Sequence, residues 1–219
     1  MKALFAPAIA LLNRLRYPAK FAMLGAIAFL VIAFLLVQLA MSLRSNIVFA
    51  EKEREALGVT PKLLTAIQLT QQHRGLSSGV LNGNEALRPR QAKKTEELAE
   101  AMKNVDQALV GETATSALQR WNGVKTGWEA IRSGGLSMAP RDNLVAHTKL
   151  IAAQILALHD MGDDGNLTLD PVADTYYLID NLLRRVPDVT ERLGRLRAMG
   201  TGVLAAKALE DQRRFDISS

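Results

Sequence analysis

The sequence predicts an all-α protein in which a single N-terminal transmembrane helix leads into an extracytoplasmic antiparallel helical bundle. Three observations support this fold class. Residues 21–43 form one apolar and uncharged run, apolar residues elsewhere recur at spacings of three and four, and no window alternates apolar and polar residues as a half-buried strand does.

The first predicted element is the membrane span, residues 21–43. At about 1.5 Å per residue this run reaches about 34 Å, enough to cross a hydrocarbon core about 30 Å thick. The preceding cations, Lys2, Arg14, Arg16 and Lys20, stand without an acid, whereas residues 44–55 mix both signs. The positive-inside rule therefore places residues 1–20 in the cytoplasm and residues 44–219 outside.

A cleaved secretory signal is the alternative, since Ala40, Met41 and Ser42 offer small residues at a peptidase-like spacing. The apolar part of a signal peptide is usually about 7–15 residues long, however, and this run is longer. The sequence therefore favours an uncleaved anchor in the lipid bilayer.

Composition excludes several classes of protein. The chain has no cysteine, so it can form neither a disulfide framework nor a thiolate metal site. Removing the four cations before the membrane run from the 27 Lys and Arg leaves 23, against 22 Asp and Glu. The basic pI of 9.6 is thus mainly a topology signal, and we expect no nucleic-acid partner.

The remaining elements are helices separated by Gly, Asn, Ser and Asp. Thr60 and Pro61 read as an N-cap followed by proline at the first helical position, which predicts a new helix over residues 61–81. Further helices are predicted over residues 88–110, 115–132, 140–161 and 170–209. Trp121 and Trp128 lie on the apolar seam of the helix predicted over residues 115–132, which predicts that they are core residues. Residues 162–169 read as a loop.

Pro187 interrupts the last predicted helix and indicates a kink, because an apolar stripe continues on both sides of it. The stripe consists of Leu182, Val186, Val189, Leu193, Leu196 and Leu204. We therefore expect this stripe to face the core of the bundle.

The sequence shows no catalytic or metal-binding constellation. No two of the three histidines have a zinc-ligand spacing, and phosphate loops and nucleophile elbows are missing. The segment around Gly165 resembles a calcium loop, but Gly162 and Pro171 stand where oxygen ligands belong. We expect neither a cofactor nor enzymatic activity.

A first unusual segment is residues 70–84, in which Gly75, Gly79 and Gly83 recur every four residues. Each glycine costs about 1 kcal/mol relative to alanine within a helix, so some gain should offset it. One interpretation is close helix packing along the glycine face. The other is a cavity beside His73 and Arg74, in which the Arg74 guanidinium binds a carboxylate or another anion.

A second unusual segment is residues 169–181, which carries Asp174, Tyr176 and Tyr177 near the start of a helix. One interpretation is that a tyrosine packs in the bundle and Asp170 is only a helix cap. The other is that Asp174, Tyr176 and Tyr177 meet the Arg74 segment and complete a binding site for a small polar or anionic solute.

Two stretches carry a family resemblance, QLTQQHRGLSSGVLNGN and LTLDPVADTYYLIDNLLRRVPDVTERLGRLRAMGTGVLA. Behind a basic N-terminus and a membrane helix, they resemble the extracytoplasmic sensor region of bacterial methyl-accepting chemotaxis receptors and related transducers. The first stretch is also similar to the QxxRG-S element of helical nitrate-sensing-type input domains. The resemblance implies an inner-membrane protein with a periplasmic solute-sensing bundle, a homodimer, and chemotaxis signalling by ligand-shifted helix packing.

The sequence departs from the receptor pattern after Leu209, because no second apolar run precedes Ser219. We expect either a fragment of a longer receptor or a naturally short product. Two other functions stay open: a membrane-tethered bundle that dimerises without a ligand, and an input domain for a histidine kinase or a diguanylate cyclase.

Overall fold

The computed structural model describes residues 16–109, 114–169 and 173–206, and within these ranges the chain is helical and contains no strand, as predicted. The α-helices are α1 (Tyr17–Leu81), α2 (Arg88–Ala108), α3 (Thr115–Gly134), α4 (Pro140–Asp164), α5 (Ala173–Asp180) and α6 (Val186–Ala206). Short 3-10 turns occupy Glu85–Leu87, Gly135–Ser137 and Leu167–Leu169, and a π-helical turn, Asn181–Arg185, separates α5 from α6.

The chain divides into two compact units, residues 1–50 and residues 51–219. The described part of the first unit is helical, and its large apolar side chains are exposed, as lipid-facing residues are. Among the described residues, α1 is the helix that is long and apolar enough to cross a membrane, by length and composition. The predicted cytoplasmic segment lies largely outside the described residues.

The second unit has a continuous apolar core. Trp121 is fully buried and Trp128 nearly so, which confirms the seam predicted for α3. The other large core side chains come chiefly from α1, α2 and α4, and include Leu63, Leu98, Val105, Ile151, Leu158 and Met161. Because α3 and α4 are joined by a single tight turn, they pack against each other along their length.

The prediction of a new helix at Pro61 is wrong, because α1 continues through this residue. Proline lacks the N–H that an interior helical position donates, so it leaves one carbonyl of the preceding turn without its bond. The Thr60 hydroxyl donates to the Ala56 carbonyl at 2.8 Å, and Ala56 and Leu63 are fully buried. Tertiary packing around the proline therefore offsets the lost backbone bond.

The loop predicted for residues 162–169 is largely ordered into helix and turn. Helix α4 extends to Asp164, whose carboxylate accepts the backbone N–H groups of Ser116 and Ala117 at 2.7 and 3.0 Å. These N–H groups belong to the first turn of α3, which has no intrahelical acceptor for them. Asp164 thus caps a neighbouring helix, a role that local sequence cannot indicate.

Helix α6 faces the core with a different stripe from the one predicted. Val186, Val189, Leu193 and Leu196 are between 44% and 61% exposed, whereas Gly194 and Ala198 are buried. The small residues allow α6 to approach α1 closely: the Ser78 hydroxyl donates to the Ala198 carbonyl at 3.0 Å. The expected kink at Pro187 takes the form of the π-helical turn just before it. The predicted helix start at Asp170 and Pro171 lies outside the described residues.

Candidate functional site

The centre of the second unit contains a buried ion pair between α1 and α6. The Arg74 side chain is fully buried, and its Nη1 and Nη2 donate to the two carboxylate oxygens of Glu191 at 2.7 and 3.1 Å. Nη1 also donates to the Thr148 hydroxyl at 3.2 Å, and the Gln71 amide donates to Glu191 at 3.2 Å. The guanidinium fork that the sequence assigned to a ligand is therefore occupied by a carboxylate of the same chain.

One donor of Arg74 is not used. Its Nε is buried and has no hydrogen-bond partner in the described part of the chain, and the same holds for the Ser77 hydroxyl one turn later. A buried polar group of this kind costs about 1–3 kcal/mol unless something else satisfies it. The polar centre between α1 and α6 thus retains capacity for a further acceptor.

A hydrogen-bonded row of neutral side chains runs beside the ion pair. His147 Nδ1 lies 2.8 Å from the Asn143 carbonyl, which can only accept, so Nδ1 carries the proton. His147 Nε2 then accepts from His73 Nδ1 at 2.8 Å, and His73 Nε2 accepts from the Gln91 amide at 2.9 Å. This histidine row links α1, α2 and α4, and each imidazole has one defined tautomer.

Both histidines are held neutral. Burial lowers the pKa of His73 to about 3, with a further contribution from the neighbouring His147. Burial also lowers the pKa of His147 to about 4, where the charge of Arg74 adds to the effect and the bond to the Asn143 carbonyl opposes it. The row is therefore a fixed polar core at neutral pH.

The three glycines of the first motif have three different environments. A Cβ at Gly79 would collide with Leu87 and press against Thr201, so Gly79 is a close packing point. A Cβ at Gly75 would meet no atom within 4 Å, and Gly75 lines a groove. Gly83 has a φ of +99° and forms the turn after α1, where glycine is the favoured residue.

The second motif lies away from Arg74. Asp174, Tyr176 and Tyr177 are exposed on α5, and the two tyrosine rings contact each other edge to face at 5.6 Å. Tyr177 precedes Glu191 by 14 residues, which is about 20 Å along a helical chain. The structure brings His73 and Arg74 together at the centre of the bundle but does not bring the α5 residues to them.

A cationic groove of about 610 Å³ lies between α1, α2 and α6, next to Gly75. We call it the anion groove; its charged lining residues are Arg90, Lys93, Lys94, Arg197 and Glu97. Glu97 forms a close ion pair with Lys94, which holds the pKa of that carboxyl below its usual range. Arg90 and Arg197 have no carboxylate within 4.0 Å among the described residues.

Two further cavities adjoin α6. One, of about 420 Å³, lies between α1 and α6 and shares Gln72 and Arg197 with the anion groove. The other, of about 340 Å³, lies between α4 and α6 on the opposite side and includes Arg141, Lys149 and Arg195. Within the described residues, no three His, Asp or Glu side chains are grouped so that they could hold a metal ion.

Sequence reasoning identified Arg74 and His73 but not their partners. Glu191, Gln91 and His147 lie 18 to 117 residues from the groups that they bind, and no local spacing connects them. Arg197 stands in the second of the two stretches that carry the family resemblance, residues 167–205, yet nothing in that stretch distinguishes it from its neighbouring arginines.

Comparison with known proteins gives a match to one protein family model. The sequence model of a family described as nitrate and nitrite sensing matches residues 65–218, a range that contains Arg74, Glu191 and Arg197. No curated protein and no solved structure matches the chain.

Proposed function

We propose a function from the premise that the chain belongs to the nitrate and nitrite sensing family. In this proposal residues 44–219 form the periplasmic input region of a transmembrane chemoreceptor, which binds nitrate or nitrite and passes the signal on for chemotaxis. Residues 21–43 anchor it in the bacterial inner membrane, with the N-terminus in the cytoplasm.

The anion groove is the proposed binding site. Nitrate and nitrite are small planar oxyanions, and guanidinium groups bind such anions with two parallel N–H bonds. The carrying observation is that Arg90 and Arg197 both line this groove, while its one carboxylate, Glu97, is engaged by Lys94. The groove therefore has an excess of positive charge and two arginines available for an anion.

Arg74 has a second role in the proposal. The Glu191 carboxylate occupies its fork with the geometry that a planar oxyanion would adopt, and Arg74 Nε is free for a further acceptor. An anion that enters from the groove competes with Glu191 for Arg74 and weakens the attachment of α6 to α1. His73 supports this centre through the histidine row, whereas Asp174, Tyr176 and Tyr177 lie too far along the helix to share the ligand.

The signal in this proposal is a population shift. A ligand that binds one packing of α6 on α1 more tightly than another shifts the equilibrium between them by its difference in affinity. The contact surface is suited to small slides, because Gly194, Ala198 and Gly202 present almost no side chain to α1. The active unit is taken to be a homodimer, as in receptors of this type.

Two variants of the full chain in lipid nanodiscs test the binding site. Calorimetric titration with sodium nitrate and sodium nitrite should show saturable binding, and sodium chloride should not. Arg197→Gln should reduce the nitrate affinity about tenfold or more, since a charged hydrogen bond is worth about 1.5–3 kcal/mol. Arg195→Gln is the matched control, because it removes the same charge two residues away, on the side of α6 that faces the α4–α6 cavity.

Loss of nitrate binding in Arg195→Gln but not in Arg197→Gln would assign the ligand to the other cavity and refute the anion groove. No binding of either anion by the unchanged chain would favour the second candidate function, a bundle that only assembles with partners. One observation supports that candidate: Arg74 is already bound by Glu191, so the ion pair can serve structure alone. A histidine kinase or diguanylate cyclase could use the same input region.

A further inference from the structure

Helix α6 has an exposed apolar row with the spacing of a coiled-coil seam. Val186, Val189, Leu193 and Leu196 follow one another at intervals of three, four and three residues, and each is 44–61% exposed. These are the a, d, a and d positions of two successive heptads. We call these four residues the α6 seam; they lie on a different face from Gly194 and Ala198, which pack on α1.

The surface beside the seam continues onto α1. The 420 Å³ cavity between the two helices is lined by Val186 and Leu193 of the seam together with Leu64 and Ile67 of α1. A helix lying along the seam could therefore insert side chains into this hollow, as knobs enter holes in paired helices. An apolar row of this extent is unusual on a surface that nothing covers.

The charges that flank the seam define the partner. The flanking e and g positions are Arg185, Thr190, Arg192 and Arg197, so that three of the four are arginine and none is acidic. Arg192 has no carboxylate within 4.0 Å among the described residues, and Arg185 is 71% exposed although it contacts Asp180. Residues at e and g set which helix can pair with a seam.

We propose that the α6 seam docks an amphipathic helix of another protein that carries glutamate or aspartate beside its own apolar row. A second copy of this chain is disfavoured as the occupant. Parallel pairing would set Arg192 against Arg197 of the other copy, and antiparallel pairing would set like arginines against each other. The docking surface shares Arg197 with the anion groove, but Val189, Arg192 and Leu196 do not line that groove, so variants at these three positions test docking alone.

The test uses two designed peptides of about three heptads and the full chain in nanodiscs of zwitterionic lipid. Both peptides have leucine and isoleucine along the seam; one has glutamate at every e and g position and the other has lysine. The glutamate peptide should bind about tenfold more tightly than the lysine peptide at low salt. This difference should shrink at about 1 M salt, where charges are screened within about 3 Å.

Three variants locate the binding. Val189→Glu should abolish binding of the glutamate peptide, whereas Leu156→Glu on α4, which also replaces an exposed apolar residue, should leave it unchanged. Arg192→Glu should shift the preference toward the lysine peptide. Circular dichroism should be the same for all three chains, since each altered side chain is exposed.

Equal binding of the two peptides, or no binding of either, would overturn the proposal. A third outcome would also overturn it. The chain has no cysteine, so Leu196→Cys provides a single thiol. Efficient oxidation of this thiol to a disulfide-linked dimer would show that a second copy occupies the seam.

Discussion

The Arg74–Glu191 pair is the residue-level feature with the largest consequence for stability. Removing one member of a buried ion pair leaves the other charge without compensation, at a cost of about 3–5 kcal/mol. We therefore expect Arg74→Ala to lower the free energy of unfolding by about this amount, measured by urea denaturation followed through the buried tryptophans. Arg74→Lys keeps the charge but not the fork and should cost less. Equal stability of Arg74→Ala and the unchanged chain would show that the pair contributes nothing net.

The Glu191→Gln variant tests whether the Glu191 carboxylate competes with a bound anion for Arg74 or only stabilises the fold. The amide has nearly the same shape but no charge, so it should bind Arg74 less tightly and leave the guanidinium open to an anion. We expect the nitrate affinity to rise severalfold in calorimetric titration. Asp188→Asn, which removes an exposed acid from the same helix, is the control. An unchanged affinity in Glu191→Gln would show that Arg74 serves packing and takes no part in binding.

The histidine row makes stability depend on pH. The pKa of each histidine is lower in the folded chain, about 3 and about 4, than the ordinary value of 6.5, so the unfolded chain binds more protons. The stabilisation is complete above pH 6.5 and decreases as the pH falls toward 4. Between pH 7 and pH 5 we expect a loss of about 2 kcal/mol for each histidine.

Urea denaturation at several pH values measures this dependence. His73→Gln should remove about half of the dependence of the unfolding free energy on pH, because one of the two neutral imidazoles is gone. A slope in His73→Gln equal to that of the unchanged chain would contradict the assignment.

The residues that the motifs highlight can be predicted, but their partners cannot. Arg74 and His73 are recognisable because they directly precede the row formed by Gly75, Gly79 and Gly83. Glu191 bonds to Arg74 across 117 residues of sequence, and its position on α6 relative to Gly194 decides that it faces inward. Only the packing of α6 on α1 reveals this.

At the level of elements, the contact between α6 and α1 can be tested with two glycines of the same helix. A Cβ at Gly202 would lie 2.9 Å from the Ser78 hydroxyl and 3.2 Å from the Asn82 amide, whereas a Cβ at Gly200 meets nothing within 4 Å. Gly200→Ala should therefore stabilise the chain by up to about 1 kcal/mol through helix propensity.

Gly202→Ala should instead lower the melting temperature, because the new methyl group pushes α6 away from α1. Thermal unfolding followed by circular dichroism compares the two variants. If both alanines raise the melting temperature equally, the close approach of α6 to α1 is not present in solution.

Helix type and approximate length are predictable from apolar spacing and from breaks at glycine and asparagine. Two of the differences between the predicted and observed elements have separate physical causes. The cap-and-proline pattern predicts a helix start at Pro61, although burial of its neighbours can offset a missing backbone bond. For α6 the large apolar residues predict the wrong core face, because the close contact is made by Gly194 and Ala198, whose low hydrophobicity gives no periodic signal.

For the whole molecule, the proposed topology can be tested with single cysteines, because the natural sequence has none. A membrane-impermeant maleimide should label Ser133→Cys in intact spheroplasts, since this residue is exposed in the unit that is proposed to lie in the periplasm. Asn13→Cys should be labelled only after lysis, because the proposal places the cationic N-terminus in the cytoplasm. The reverse pattern would invert the orientation, and loss of residue 13 from the mature chain would establish a cleaved signal.

The prediction of the overall fold rests on patterns that extend over many consecutive residues. An uncharged run and helical periodicity are sufficient to predict an all-α fold with a candidate membrane span, because both follow from burying apolar surface. The motif at residues 68–84 also points to the correct family. The choice between the Arg74 centre and the α5 tyrosines depends on how far apart two segments lie, which composition and spacing do not specify.

The π-helical turn before α6 keeps the buried residues of α5 and α6 on the same side of the helix. Buried residues run from Ile179 to Gly202, 23 residues later, mostly at intervals of four. A regular α-helix turns about 100° per residue, so these two residues would point about 140° apart, and Gly202 would leave the core. The π-turn absorbs one residue and reduces the offset to about 40°. Deletion of one residue within 181–185 would thus turn this segment into regular α-helix and keep α5 and α6 in phase, because 22 residues of α-helix leave the same offset of about 40°.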